Sequence, residues 1–262
     1  MRRIIIIGIA IAVLGSGAAA WASSTDPNNY SGSSVSVSPA KAGKAKRPVI
    51  DAWTQTIKVS SNQAGLDSAP LKDIKTWIYG LKVNSKVAKT CSSSKIETNY
   101  LSCPGKSLVA SGSVTSRLGT PDRNPSTSTN CGPLTLNVYN GGKNFVWFFF
   151  IVSGGPASCP GAHTGSAAPY KGTFSRSNGN LVLNVPLPPD VSTDAANIGA
   201  YASLTNEHLV WKKLTKRING KRVGYFSSVG CKAGKRPIKV TFTDTTNGSN
   251  RFSTTKTGKL TC

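Results

Sequence analysis

The sequence predicts an all-β fold: an antiparallel β-sandwich, jelly-roll-like in type, with about eleven strands joined by Asn-Gly hairpins. Three observations carry that prediction. Asn-Gly occurs four times, at Asn140-Gly141, Asn178-Gly179, Asn219-Gly220 and Asn247-Gly248, each between runs rich in β-branched or aromatic residues. Both central residues of a type I′ turn need positive φ, which Asn and Gly accept, and that turn matches the twist of paired strands. Flanking residues alternate: Leu134, Leu136 and Val138 oppose Thr135, Asn137 and Tyr139, and Ile238, Val240 and Phe242 oppose Lys239, Thr241 and Thr243. Such alternation belongs to strands with one buried face and one wet face. No amphipathic helical pattern of useful length appears.

Taken in order, residues 1–22 have the layout of a secretory signal peptide. Arg2-Arg3 precede the apolar run Ile4–Leu14, and small residues lead to Ala20-Trp21-Ala22, with cleavage expected after Ala22. The paired arginines lack the surroundings of a twin-arginine signal, so the general secretory route is expected. An uncleaved anchor is the competing interpretation, because residues 4–22 come close to a membrane span. Residues 23–48, rich in Ser, Gly and Lys, read as a flexible linker. Within it Val35-Ser36-Val37-Ser38 has the alternation of an edge strand, and the basic run over residues 41–47 has the composition of a polyanion-binding arm, with a soluble linker as the plain alternative. A single sandwich domain is expected over residues 49–262. Its strands are expected near 49–59, 71–79, 107–118, 133–140, 144–153, 169–176, 180–187, 201–217, 222–230, 236–245 and 251–260. Ser92–Tyr100 reads as one or two helical turns inside a loop, and Pro186-Leu187-Pro188-Pro189 stops a strand.

The six cysteines, Cys91, Cys103, Cys131, Cys159, Cys231 and Cys262, all lie beyond the signal segment. An even count in an exported chain argues for disulfides, and the absence of a CxxC pair argues against metal binding. Composition alone leaves about 15 connectivities open. Hairpin geometry favours Cys231–Cys262 across the final hairpin, Cys91–Cys103 closing a short loop, and Cys131–Cys159 flanking another hairpin.

Charge dominates the functional reading. The chain has 262 residues with 32 Lys and Arg against 10 Asp and Glu, a formal charge of +22. The densest basic stretch runs from Lys212 to Arg222, and Asn219-Gly220 would make it a projecting ribbon. The candidate polyanion-binding residues are therefore Lys212, Lys213, Lys216, Arg217, Lys221 and Arg222. Lysines on exposed strands also guard edges against aggregation, which is the plain alternative. Specific nucleic-acid binding is not expected, because the chain is exported and its aromatics are not interleaved with the basic cluster.

Two other classes compete. A carbohydrate-binding module would use exposed aromatics, with Tyr139 and Trp211 as contact candidates. A secreted hydrolase would need a pocket joining His163 or His208 to an acid. Glu207-His208 is the most suggestive neighbour pair, but adjacent strand residues point to opposite faces. No Gly-x-Ser-x-Gly elbow, His-Glu-x-x-His helix or phosphate-cradling loop is present. No cofactor or metal is expected.

Four segments carry a resemblance: Val37-Ser38-Pro39-Ala40-Lys41-Ala42-Gly43, Cys103–Ser113, Tyr139-Asn140-Gly141-Gly142, and Cys231-Lys232-Ala233-Gly234-Lys235-Arg236 with Cys262. Together these resemble uncharacterised secreted β-rich proteins of actinobacteria, over about residues 35–262. The resemblance implies export and a disulfide-bonded sandwich, and it transfers no activity or functional residues. The expectation is an exported, non-enzymatic binding protein of the cell envelope. Its basic surface would associate with anionic wall polymers or a membrane surface, and any protein partner is unspecified.

Overall fold

The computed structural model describes residues 26–152, 159, 161–195, 198–245 and 251–261. The expected signal peptide, Cys262 and the Asn247-Gly248 pair lie outside them. Among the described residues the first strands are β1 (Asn28–Asn29), β2 (Ser34–Ser38), β3 (Val49–Lys58), β4 (Ser60–Ser61), β5 (Leu71–Tyr79) and β6 (Leu81–Val83). After the short helix α1 (Ser93–Asn99) come β7 (Leu108–Gly119), β8 (Thr129–Gly142), β9 (Phe145–Ile151), β10 (Tyr170–Ser177) and β11 (Asn180–Pro186). The chain continues through β12 (Tyr201–Trp211), β13 (Thr215–Ile218), β14 (Lys221–Gly224), β15 (Phe226–Ser228), β16 (Lys235–Thr245) and β17 (Arg251–Thr261).

One large antiparallel sheet runs β17-β16-β5-β11-β10-β9-β8-β7-β12-β3-β15-β6, with β2 paired to β3. The consecutive stretch from β7 to β11 is a meander, unlike the interleaved Greek-key order of a jelly roll. The sheet curls so that strands distant in its order meet face to face. Phe174 of β10 packs edge-on against Trp211 of β12 and Phe226 of β15, with ring centroids 5.8 and 5.9 Å apart. At the centre Trp53 and Trp211 stack at 4.9 Å, a geometry worth about 0.5–1.5 kcal/mol beyond the area it buries.

Turn chemistry follows the sequence at two sites. Asn178-Gly179 and Asn219-Gly220 have φ of 48° and 80°, and of 50° and 73°, and each closes a two-residue hairpin. Asn140-Gly141 does not turn. β8 continues to Gly142 and reverses through Lys143-Asn144, leaving Asn140 buried. In the last hairpin Ile238 faces Gly258 and Thr245 faces Arg251. That register is one position off a two-residue turn at Asn247-Gly248. Between β12 and β14 the expected strand 201–217 divides at Lys212, and among the described residues β13 pairs with β14 alone.

The N-terminal linker needs correction from Asp26 onward. Tyr30 is buried and stacks on Phe242 at 4.1 Å, while its hydroxyl and Asn28 Nδ2 both donate to Asp244 Oδ2. β2 then pairs with β3. An apolar ring and a buried carboxylate thus recruit a segment whose composition suggested a spacer. Cys91–Cys103 and Cys131–Cys159 are formed. Cys231 is also disulfide-bonded, and its expected partner Cys262 lies outside the described residues. These bridges fit a protein of an oxidising, extracellular compartment. Among the described residues no helix is long and apolar enough to cross a membrane.

Candidate functional site

Acids and bases are partitioned unequally between core and surface. Of the 10 Asp and Glu residues, Asp51, Glu207 and Asp244 are buried. Asp51 faces Arg236, itself fully buried, at 3.4 Å. Most cations stay outside, so the surface is left with little compensating negative charge.

A groove of ≈ 570 Å³ between the β13–β14 ribbon and the chain around residues 84–107 gathers several cations. Lys216, Arg217 and Arg222 line it from the ribbon, and Val87, Lys89 and Lys106 from the facing chain. All five cations are exposed, and no carboxylate is among the lining residues. Arg217 and Arg222 are direct cross-strand partners, a like-charge pairing that weakens a ribbon. Stability alone would not select it.

Both walls are fastened to the body. The ribbon wall is joined across by Lys216 Nζ, which donates to the Lys86 carbonyl at 3.4 Å. The other wall begins with a 3₁₀ turn, Ser85–Val87, whose preceding Asn84 accepts from the Lys86 amide. Asn140, wholly buried at the end of β8, anchors the rest of that wall. Its Nδ2 donates to the carbonyls of Ser85, Ala88 and Lys89 at 3.1, 3.3 and 3.3 Å. Its Oδ1 accepts from the Tyr225 hydroxyl at 3.4 Å. The Lys89 amide bonds the Lys106 carbonyl, and Cys91–Cys103 closes the intervening loop. The Asn-Gly pair expected to turn is therefore the peg that holds one wall of the groove.

The expected basic cluster is split by the structure. Lys216, Arg217 and Arg222 reach the groove; Lys212, Lys213 and Lys221 are not among its lining residues. Lys212 and Lys213 sit on the connection leaving β12, and Lys221 beside the ribbon tip. Lys89 and Lys106 escape a sequence reading because they are distant from the ribbon and neither belongs to a basic run.

Both aromatic candidates require correction. Trp211 is fully buried in the stacked core. Tyr139 does point away from Leu136 and Val138, but the loop bearing α1 covers that face, so Tyr139 is buried with Cys91, Ile96 and Phe149. Trp147 of β9 is half-buried on this same outer side. Trp77 is also half-buried, with Lys239 Nζ 3.8 Å from its ring centroid, so a cation already occupies its face.

Glu207 and His208 form no dyad: Glu207 is buried, whereas His208 is exposed and bonds Thr56 Oγ1 at 3.1 Å. His163 does share a cavity with Asp190 and Glu207. Its Nδ1 lies 3.0 Å from Ser166 Oγ, and among the described residues no hydrogen bond joins it to either carboxylate. Burial pushes the Glu207 carboxyl up to about 7, against the opposing hydrogen bond from Gln55. Protein-family models, curated proteins and solved structures provide no match to this chain.

Proposed function

We propose that the protein is an exported, non-enzymatic binding protein that holds anionic polymers of the cell envelope in the groove between the β13–β14 ribbon and residues 84–107. One observation carries this reading. Two segments far apart in sequence bring five exposed cations to one groove whose lining includes no carboxylate. Two arginines there supply planar donor forks suited to phosphate or carboxylate, and three lysines supply compact charges. At physiological salt the field of such a groove reaches about 8 Å, so capture needs close approach and weakens as salt rises. The resemblance to secreted actinobacterial proteins makes an actinobacterial wall the natural surface to test.

The test is co-sedimentation of oxidised residues 23–262 with isolated actinobacterial cell wall across a salt series. The expected result is retention at low salt, steep release as salt rises, and loss of retention when Lys89, Lys106, Lys216, Arg217 and Arg222 are each replaced by Gln. Retention that persists at high salt would overturn the polyanion reading in favour of glycan recognition. No retention at low salt would overturn the envelope role altogether.

A further inference from the structure

At the other end of β8 from the groove, about 30 Å away at 3.3–3.4 Å per residue, the sheet and the loop over residues 161–167 border a second site. A cavity of ≈ 100 Å³ is walled largely by apolar side chains, among them Leu118, Leu134, Phe150, Val152 and Leu204. Its polar lining includes Glu207 and Tyr170, both more than nine-tenths buried. An empty apolar cavity of similar order, about 150 Å³, admits a molecule the size of benzene.

A local irregularity places Glu207 here. β12 pairs with β7 through a bulge between Leu204 and Asn206, which shifts the alternation by one residue. Leu204 faces the cavity before the bulge and Glu207 faces it after. Behind Glu207 runs a buried polar chain: Thr76 Oγ1 donates to Gln55 Oε1 at 3.0 Å, and Gln55 Nε2 donates to Glu207 Oε1 at 2.9 Å. That chain fixes one carboxyl oxygen. Among the described residues the other oxygen has no hydrogen bond, and neither does the Tyr170 hydroxyl. Tyr170 is held by stacking on Phe148 at 5.3 Å and by a tilted contact with Phe150. Two polar groups with unused hydrogen-bonding capacity thus border one apolar chamber, where a ligand hydroxyl could take the place of water.

We propose that this cavity binds the apolar end of a small uncharged alcohol, whose hydroxyl accepts a hydrogen bond from Tyr170 and donates one to Glu207. An alcohol oxygen can do both at once. A carboxylate cannot donate, and an apolar chamber strips its hydration. An ammonium offers no lone pair to the Tyr170 hydroxyl, and an apolar chamber strips its hydration. The site is independent of the basic groove.

The experiment is a chemical-shift titration of the oxidised, ¹⁵N-labelled protein with three probes sharing one tail: 1-butanol, butanoate and n-butylammonium. The expected result is saturable shifts for 1-butanol, centred on Leu118, Leu134, Tyr170 and Glu207, with the two ions at least tenfold weaker. Tyr170→Phe, which keeps the ring and removes the hydroxyl, should weaken 1-butanol by about tenfold. Ala202→Leu, which fills the chamber, should abolish the shifts. Equal binding by wild type and Tyr170→Phe would overturn the assigned contact. Preference for butanoate or n-butylammonium would overturn the ligand class, and no saturable shift with any probe would overturn the site.

Discussion

Replacing Glu207 by Gln isolates the cost of an ionisable group at the cavity floor. The carboxyl is held at about 7 in the folded protein by burial, against an ordinary value of 4.5. Between those two pH values the folded chain keeps a proton that the unfolded chain has released. Stability from this group is therefore fully present below about 4.5 and is lost as pH rises through 7. At 1.36 kcal/mol per pH unit the loss approaches about 3 kcal/mol. Glutamine has the same shape and cannot ionise. Glu207→Gln should match the wild type at pH 4.5 and be more stable at pH 8 by up to about 3 kcal/mol. Urea unfolding at pH 4.5, 6, 7 and 8 measures this directly, because the difference between the two proteins cancels contributions from Asp244 and other groups. A difference that stays constant across the series, or a variant less stable at pH 8, would refute the reasoning.

Three further outcomes rest on the packing. Cys91→Ser with Cys103→Ser opens a 12-residue loop, with an expected stability cost of about 3 kcal/mol in urea unfolding. It should also weaken polyanion binding, because that loop separates Lys89 from Lys106. Arg236→Met leaves Asp51 buried without its partner and should cost about 3–5 kcal/mol, whereas adding Asp51→Leu should recover most of it; equal losses in single and double variants would contradict the pair's role. Tyr30→Ala removes the Phe242 stack and one hydrogen bond to Asp244, and thermal unfolding should register a loss of about 3–5 kcal/mol. A negligible loss would restore the N-terminal segment to the status of a linker.

Much of the fold is legible in the sequence because alternation and turn chemistry are local. β5 occupies the expected 71–79, and β16 buries Ile238, Val240 and Phe242 as its pattern requires. The features that escape depend on contacts between distant segments. Asn140-Gly141 has the composition of a type I′ turn, but the carbonyls of Ser85, Ala88 and Lys89 compete for the Asn140 side chain and hold it in a strand. Tyr139 lies on the expected face of β8; the covering helix cannot be read from that strand alone. The β12 bulge leaves a faint trace. Leu204 lies an odd number of residues from Leu209 and Trp211, so all three can share an interior only if alternation breaks between them. For the groove, density in the sequence discloses Lys216, Arg217 and Arg222, while Lys89 and Lys106 gain meaning only from the loop closure that brings them opposite.

The central claim is that a built groove, rather than net charge, captures anionic polymers. Its most direct test compares two variants of equal charge by titration with soluble polyphosphate across a salt series. One carries Lys89, Lys106, Lys216, Arg217 and Arg222 replaced by Gln. The other carries the same replacement at Lys41, Lys46, Lys232, Lys256 and Lys259, which are exposed and outside the groove lining. The groove variant should lose most of its affinity and show a markedly shallower dependence of log affinity on log salt, while the control keeps a slope near that of the wild type. Equal losses in the two variants would show that diffuse charge is sufficient and would contradict the groove.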